Sequence, residues 1–90
     1  MYALKPTPYE KSKEIAQRNR KLRKQLKMSQ EEMAERSGVS FGSLKRFENT
    51  GKISLESLLK LMHLLGRLDD FDHVLKLKEN QDEIEKLFSK

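Results

Sequence analysis

The 90-residue sequence contains no cysteine, which excludes a disulfide framework and a cysteine-based zinc site. It also lacks a long apolar run, because polar residues separate leucine-rich pairs such as Leu58-Leu59 and Leu61-Met62. A membrane-spanning helix needs about 20 predominantly apolar residues in a row, and the core of a signal peptide about 7–15. We therefore expect no membrane association and a soluble, cytoplasmic protein.

Glycine and proline are scarce as well, with four and two residues, and no stretch is rich enough in them to form a linker. The length suits one small domain. We predict an N-terminal arm over residues 1–8, a folded domain over residues 9–77 and an acidic C-terminal tail over residues 78–90.

The two ends of the chain carry opposite charge. Residues 1–30 hold nine basic and two acidic side chains, whereas residues 69–90 hold four basic and seven acidic ones. A basic segment of this kind favours a polyanion partner such as nucleic acid or a membrane surface, although a solvated helix face has the same composition. The acidic end indicates a different role for the tail.

Hydrophobic spacing and capping residues predict an all-α fold with five helices and no strand. The helices are expected at about residues 8–26, 29–37, 41–48 and 54–66, with a fifth from about residue 68. The apolar side chains expected to face the core are Ile15, Ala16, Leu22 and Leu26 in the first helix and Leu55, Leu58, Leu59, Met62 and Leu65 in the fourth. The apolar set of the fifth helix is Phe71, Val74 and Leu75.

The second and third helices form the most informative pair. Gly38 lies between them and suits the left-handed turn that often ends a helix. Ala34 is small enough to let the two helices approach, and Val39 and Leu44 can fill the corner between them. Two short helices joined by a tight glycine turn are typical of a helix-turn-helix unit, and a purely structural hairpin is the alternative.

The segments with the most specific pattern are Ile15-Ala16-Gln17-Arg18, Leu22-Arg23-Lys24, Ser29-Gln30-Glu31-Glu32-Met33-Ala34-Glu35, Gly38-Val39-Ser40, Leu44, Phe47-Glu48-Asn49 and Leu58-Leu59-Lys60-Leu61. Together they resemble the phage-repressor family of helix-turn-helix proteins, also called the Cro/CI or xenobiotic-response-element family. The resemblance covers about residues 12–66. It implies a five-helix repressor-like domain that binds a double-stranded DNA operator as a homodimer, with two half-sites about one helical turn apart.

The resemblance also implies roles for individual residues. The third helix would be the recognition helix, with Arg46 as the main base reader because arginine can bond guanine at two atoms. Gln30 would meet the DNA backbone where the second helix begins. The other residues implied to contact DNA are Ser40, Phe41, Gly42, Ser43, Lys45, Asn49, Thr50 and Lys52, with Arg18, Arg23 and Lys27 from the first helix. Phosphate contacts among them would set affinity and salt dependence rather than sequence choice.

Two of these residues have competing interpretations. Arg23 and Glu48 match a family pair that forms a structural salt bridge between the first and third helices, a role that we favour over direct DNA contact. Phe41 stands where the family often has a polar reader, so it either presses on a thymine methyl group or turns inward as core. Because Gly42 has no side chain, specificity would depend on the neighbouring cations and on DNA shape.

The sequence offers no constellation for catalysis or metal binding. His63 and His73 are isolated histidines, and the cluster Asp69, Asp70 and Asp72 is explained as charge at a helix N-terminus. We therefore expect no enzymatic activity, no metal and no cofactor.

The C-terminal apolar residues suggest protein partners. Phe71, Val74 and Leu75 form either a homodimer interface or the last part of the monomer core. Ile84, Leu87 and Phe88 give the tail a weak helical stripe for a protein partner, unless the tail stays disordered.

Short repressor-like proteins with such tails resemble antitoxins, including those that accompany HipA-like kinases. The sequence therefore predicts an autoregulatory repressor, a candidate antitoxin with a toxin partner, that associates with the bacterial nucleoid when bound to DNA. The alternative is a coactivator-like protein-interaction module that uses the same fold without binding an operator.

Overall fold

Four α-helices and a short 3-10 helix make up residues 6–77, the part of the chain that the computed structural model describes. The α-helices are α1 (Pro8–Gln25), α2 (Gln30–Ser37), α3 (Phe41–Thr50) and α4 (Leu55–Leu64), and the 3-10 helix spans Leu68–Phe71. This part of the chain contains no strand, as the sequence predicts. None of its helices combines the length and the apolar character that crossing a membrane requires.

Every α-helix begins after a serine or threonine that caps it. The four hydroxyls, on Thr7, Ser29, Ser40 and Ser54, each accept a hydrogen bond from the backbone N–H three residues later. The carboxylates of Glu10 and Glu32 in turn accept a hydrogen bond from the backbone N–H of Thr7 and Ser29, which completes two capping boxes. The predicted starts of these four helices are therefore confirmed. Each depends only on a capping residue and the backbone three positions later.

The core lies where α1, α2 and α4 meet around α3. Its fully buried side chains include Met33, Leu44, Phe47 and Leu61, and the remaining buried apolar residues are Ala16, Met28, Ala34, Val39 and Met62. Gly38, with a φ of 81°, joins α2 to α3 in the left-handed conformation that the sequence predicts. The helix-turn-helix unit thus forms part of one continuous core.

Two leucines assigned to the core from spacing alone are at the surface. Leu26 is 55% exposed because α1 has already ended, and Lys27 then turns the chain with a φ of 59° so that Met28 enters the core instead. Leu55 is 65% exposed at the first turn of α4. The face of α4 that packs inward is centred on Leu61, which the predicted set omitted.

The predicted fifth α-helix is wrong. The chain forms one 3-10 turn at Leu68–Phe71 and continues as turns until Leu75, which has a left-handed φ of 63°. Aspartates favour caps and turns over helix interiors, and a helix in water depends on an apolar face that packs. Only Phe71 in this segment packs against the core, so little tertiary contact supports a helix.

Gly51 allows the end of α3 to approach α1 closely. It has a φ of 81°, and a Cβ atom placed on it would lie 2.9 Å from the backbone carbon of Ser12 and 3.0 Å from the backbone nitrogen of Lys13. Gly38 has the same φ but no atom within 4 Å of such a Cβ. The two glycines therefore separate the effect of backbone conformation from that of steric contact.

We expect Gly51→Ala to lower the free energy of unfolding more than Gly38→Ala, as measured by urea denaturation. The left-handed conformation costs a residue with a Cβ about 1–2 kcal/mol, and this applies to both variants. Overpacking adds typically about 1–3 kcal/mol, and this applies only to Gly51. An equal decrease in the free energy of unfolding in the two variants would show that α1 can move away from residue 51 without loss of stability.

Candidate nucleic-acid interface

Helix α3 has a buried face and an exposed face. Leu44, Phe47 and Glu48 point into the protein. The exposed residues are Phe41, Gly42, Ser43, Lys45, Arg46 and Asn49. Neither Lys45 nor Arg46 forms an ion pair with a residue in the described part of the chain. Both cations are therefore available to an external anion or base edge.

Phe41 lies at the start of this exposed face. Its side chain is 42% exposed, so the alternative in which it turns inward as core is wrong. The ammonium of Lys45 lies 5.9 Å from the centre of the Phe41 ring, within cation–π range. The ring and the ammonium thus form one surface of mixed apolar and positive character.

A shallow pocket lies between α3, the turn that follows it and the start of α4. Ser43, Arg46 and Lys52, all candidate DNA contacts, line it. The remaining lining residues are Ile53, Ser54 and Ser57. The sequence interpretation treated Ser54 only as a cap and missed Ser57, although both lie at a helix N-terminus, where backbone N–H groups favour anions. The pocket combines two cations with hydroxyl groups.

Three predicted polar contacts already use their side chains in local structure. The Ser40 hydroxyl caps α3 and donates to the Ser43 hydroxyl at 2.8 Å. The Thr50 hydroxyl donates to the Arg46 carbonyl at 2.7 Å and accepts from the Lys52 backbone N–H at 3.1 Å. These bonds shape both ends of α3.

A buried polar cluster holds α3 in place from behind. The Glu48 carboxylate accepts two hydrogen bonds from Arg23, one from Asn19 and one from Gln30, each 2.9 Å long. Arg23 also donates to the Met28 carbonyl at 3.0 Å. The side chains of Arg23 and Glu48 are almost fully buried. The cluster therefore links α1, the α1–α2 turn, α2 and α3 through one carboxylate.

The surroundings of Glu48 hold the pKa of its carboxyl group below the usual value for glutamate. Burial alone raises this pKa, but the hydrogen bonds from Arg23 and Gln30 and the charge of Arg23 outweigh it. Glu48 is therefore ionised at neutral pH. An ionised carboxylate matches the buried guanidinium, and the pair forms the structural salt bridge that the resemblance implies.

The same cluster corrects the role of Arg23 and refines that of Gln30. Arg23 has its guanidinium bonded on both sides within the protein, so it is not placed to contact a phosphate. Gln30 uses its amide nitrogen on Glu48 and remains half-buried at the start of α2. Arg20, which the sequence interpretation missed, reaches the same carboxylate at 3.5 Å and keeps 44% of its side chain exposed. Its position three residues before Arg23 places it on the same side of α1.

The two other basic residues predicted as phosphate contacts near α1, Arg18 and Lys27, lie apart from this cluster. Arg18 pairs with Glu14 at 2.9 Å and lines a groove between α1 and the 3-10 helix. Lys27 is exposed in the α1–α2 turn.

The residues predicted to bind protein partners have mixed positions. Phe71 is half-buried against the core, whereas Val74 and Leu75 are 56% and 96% exposed. Ile84, Leu87 and Phe88 lie outside the described residues. Within residues 6–77, no three histidine or acidic side chains come together as a metal site would require.

The comparison with protein-family models decides the family. The helix-turn-helix family model matches residues 20–71, which is more than half of the chain and spans α2, α3, α4 and the 3-10 helix. The chain belongs to the Cro/CI-type helix-turn-helix family. A comparison with curated proteins and one with solved structures found no match.

Membership of the Cro/CI-type helix-turn-helix family makes this protein a DNA-binding regulator. The matched residues contain the exposed face of α3 and most of the Glu48 cluster. The surface that carries Arg46 and the carboxylate that positions it thus belong to the same family domain.

We expect Glu48→Gln to lower the free energy of unfolding by about 3–5 kcal/mol at pH 7, because it leaves the Arg23 guanidinium buried without its counter-charge. The lowered pKa of Glu48 sets the pH dependence. The Glu48 carboxylate contributes its full stabilisation above the pKa that it has in the unfolded chain. This stabilisation is lost as the pH falls through the lower pKa that it has in the folded protein. The difference in the free energy of unfolding between the parent and the variant, measured by urea denaturation, should therefore become smaller as the pH is lowered from 7 to 3.

Glu14→Gln is the matched control for this measurement. The pKa of Glu14 is also lowered, by the hydrogen bond from Lys11 and by the charge of Arg18, but Glu14 lies at the surface. Surface ion pairs contribute little, so this variant should unfold nearly as the parent does. A pH-independent loss in Glu48→Gln would contradict an ionised Glu48.

Proposed function

We propose that the protein is a sequence-specific transcriptional repressor that binds operator DNA with the exposed face of α3. The observation that carries the proposal is the pair Lys45 and Arg46, two exposed cations without ion-pair partners in the described residues, on a helix fixed by the buried Glu48. A recognition helix needs both free donors and a fixed orientation, because base edges are read by hydrogen bonds of defined geometry.

The contacts divide into base reading and phosphate binding. Arg46 would read guanine, and Phe41 would press on a thymine methyl group beside Lys45. Ser43, Lys52 and the start of α4 would hold one phosphate, and Gln30 with the start of α2 would hold another. Arg20 would add a cation beside Gln30. Such phosphate contacts position the protein on the duplex, and base contacts select the sequence.

We expect the purified protein to bind its own promoter fragment more tightly than a scrambled fragment at about 150 mM salt. Arg46→Ala should weaken promoter binding by about 1–3 kcal/mol and relax the preference at one base pair, because a bidentate base contact is lost. Fluorescence anisotropy with a set of single-base-pair variants of the promoter measures both effects.

Arg36→Ala is the control for Arg46→Ala. Arg36 is also an exposed arginine, but it lies near the end of α2 and pairs with Glu32 one turn earlier. This variant should bind promoter DNA as the parent does. Unchanged binding in Arg46→Ala would refute the assignment of α3 as recognition helix. Equal and weak binding of the parent to both DNA fragments, without a steep salt dependence, would favour the coactivator-like interaction module instead.

A two-fold homodimer would match the symmetry of an operator with two half-sites. Val74 and Leu75 are the candidate contacts, since both are exposed at the end of the described chain and Phe71 anchors the segment to the core. Exposed apolar side chains that cluster on a small domain are typical of a partner surface. A dimer would place two copies of α3 in successive turns of the major groove.

We expect Val74→Asp combined with Leu75→Asp to shift the protein from dimer to monomer in sedimentation equilibrium. The paired acidic side chains would bring like charges together across a two-fold interface, which opposes association. Binding to a fragment with two half-sites should fall more than binding to a single half-site. Leu26→Asp, at an exposed leucine elsewhere, should leave the mass unchanged. A parent protein that sediments as a monomer at all concentrations would refute the dimer.

The remaining elements of the function stay predictions from the sequence. Autoregulation and an antitoxin role depend on an operator and on a toxin that binds residues 78–90, which lie outside the described residues. A repressor of this kind would act by binding alone, without catalysis, and would be associated with the nucleoid in the cytoplasm.

A further inference from the structure

A half-open apolar groove of about 480 Å³ runs along α1 on the side that faces α4 and the 3-10 helix. Its apolar lining consists of Ile15, Leu22, Met62 and Phe71. Its volume falls within the range of about 300–1,000 Å³ that is usual for ligand sites. The proposed DNA contacts on α3 do not line it, and of the predicted phosphate contacts only Arg18 does.

The edge of the groove is positively charged. Arg18, Lys21, Arg67 and Asp70 line it, but Arg18 is already paired with Glu14. Asp70 forms a bidentate pair with Arg67, at 2.8 Å and 3.2 Å. Lys21 is exposed and forms no ion pair with any residue between 6 and 77. An acidic occupant would therefore find complementary charge at the edge.

We propose that the groove is the docking site for residues 78–90 of the same chain, with Ile84, Leu87 and Phe88 in the groove. Their spacing of three and four residues places them on one face if the segment is helical. The same segment carries four acidic side chains, Glu79, Asp82, Glu83 and Glu85, and three basic ones, Lys78, Lys86 and Lys90. The groove thus fits the apolar stripe of this segment, and Lys21 at its edge can face one of the acidic side chains.

The length of the chain permits this return. Phe71 lines the groove, and Ile84 follows it by 13 residues. Only six residues separate Phe71 from residue 78, so the segment begins within about 25 Å of the groove even if each residue spans its full length. Docking within one chain needs no second molecule and loses less freedom than association of two chains does.

The test places a spin label at the end of the full-length chain. Because the sequence has no cysteine, Ser89→Cys gives a single attachment site for a nitroxide. We expect the label to broaden the amide signals of Ile15 and Leu22, which are distant from residue 89 in sequence, and to leave that of Ser40 unchanged. Leu87→Ala combined with Phe88→Ala should abolish this broadening, whereas Asn80→Ala combined with Gln81→Ala should preserve it.

Two further experiments test whether the segment comes from the same chain and whether charge at the groove edge contributes to docking. Broadening that appears only when isotope-labelled protein is mixed with a spin-labelled, unlabelled copy would show that the segment of a second copy fills the groove, and would overturn the proposal. An absence of broadening would also overturn it. Lys21→Glu should weaken the broadening because it reverses a charge at the edge, whereas Lys24→Glu, at an exposed α1 lysine outside the groove, should not.

Discussion

The ionised carboxylate of Glu48 is the constraint on which the described structure depends. A charge removed from water must be paired and hydrogen-bonded, and Glu48 meets this requirement with donors from Arg23, Asn19 and Gln30. These donors belong to α1 and α2, whereas the carboxylate belongs to α3. A shift of α3 would break several of these bonds at once. The need to satisfy one buried charge thus fixes the orientation of the helix that presents Arg46.

The same arrangement explains why the exposed cations of α3 are free. The acidic residue within α3 itself, Glu48, is buried and committed to Arg23. Lys45 and Arg46 therefore have no carboxylate neighbour on their own helix. In α1, by contrast, Arg18 is paired with Glu14. The protein separates charges that hold the fold from charges that remain available to a partner, and this separation distinguishes a binding surface from a merely basic one.

Local sequence determined the helix boundaries almost completely. The capping residues act on backbone groups three positions away, and Gly38 adopts its left-handed conformation because the turn needs it. These interactions are complete within a few residues, so they can be read without knowledge of the fold. The acidic residues after Arg67 look like a helix start for the same reason. They do not form an α-helix, because that depends on packing that only Phe71 supplies.

Tertiary structure decided which side chains are buried and which charges are free. Spacing placed Leu26 and Leu55 in the core, but the end of α1 and the rotation of α4 put both at the surface and Leu61 inside. Composition made Arg18, Arg20 and Arg23 equivalent, yet one lines a groove, one reaches Glu48 from the surface and one is buried against it. The sequence by itself determined the four α-helices and the family, because both depend on short-range patterns. The resemblance already paired Arg23 with Glu48, but only the packing of the helices decided which other cations stay exposed, because burial and ion pairing depend on side chains distant in sequence.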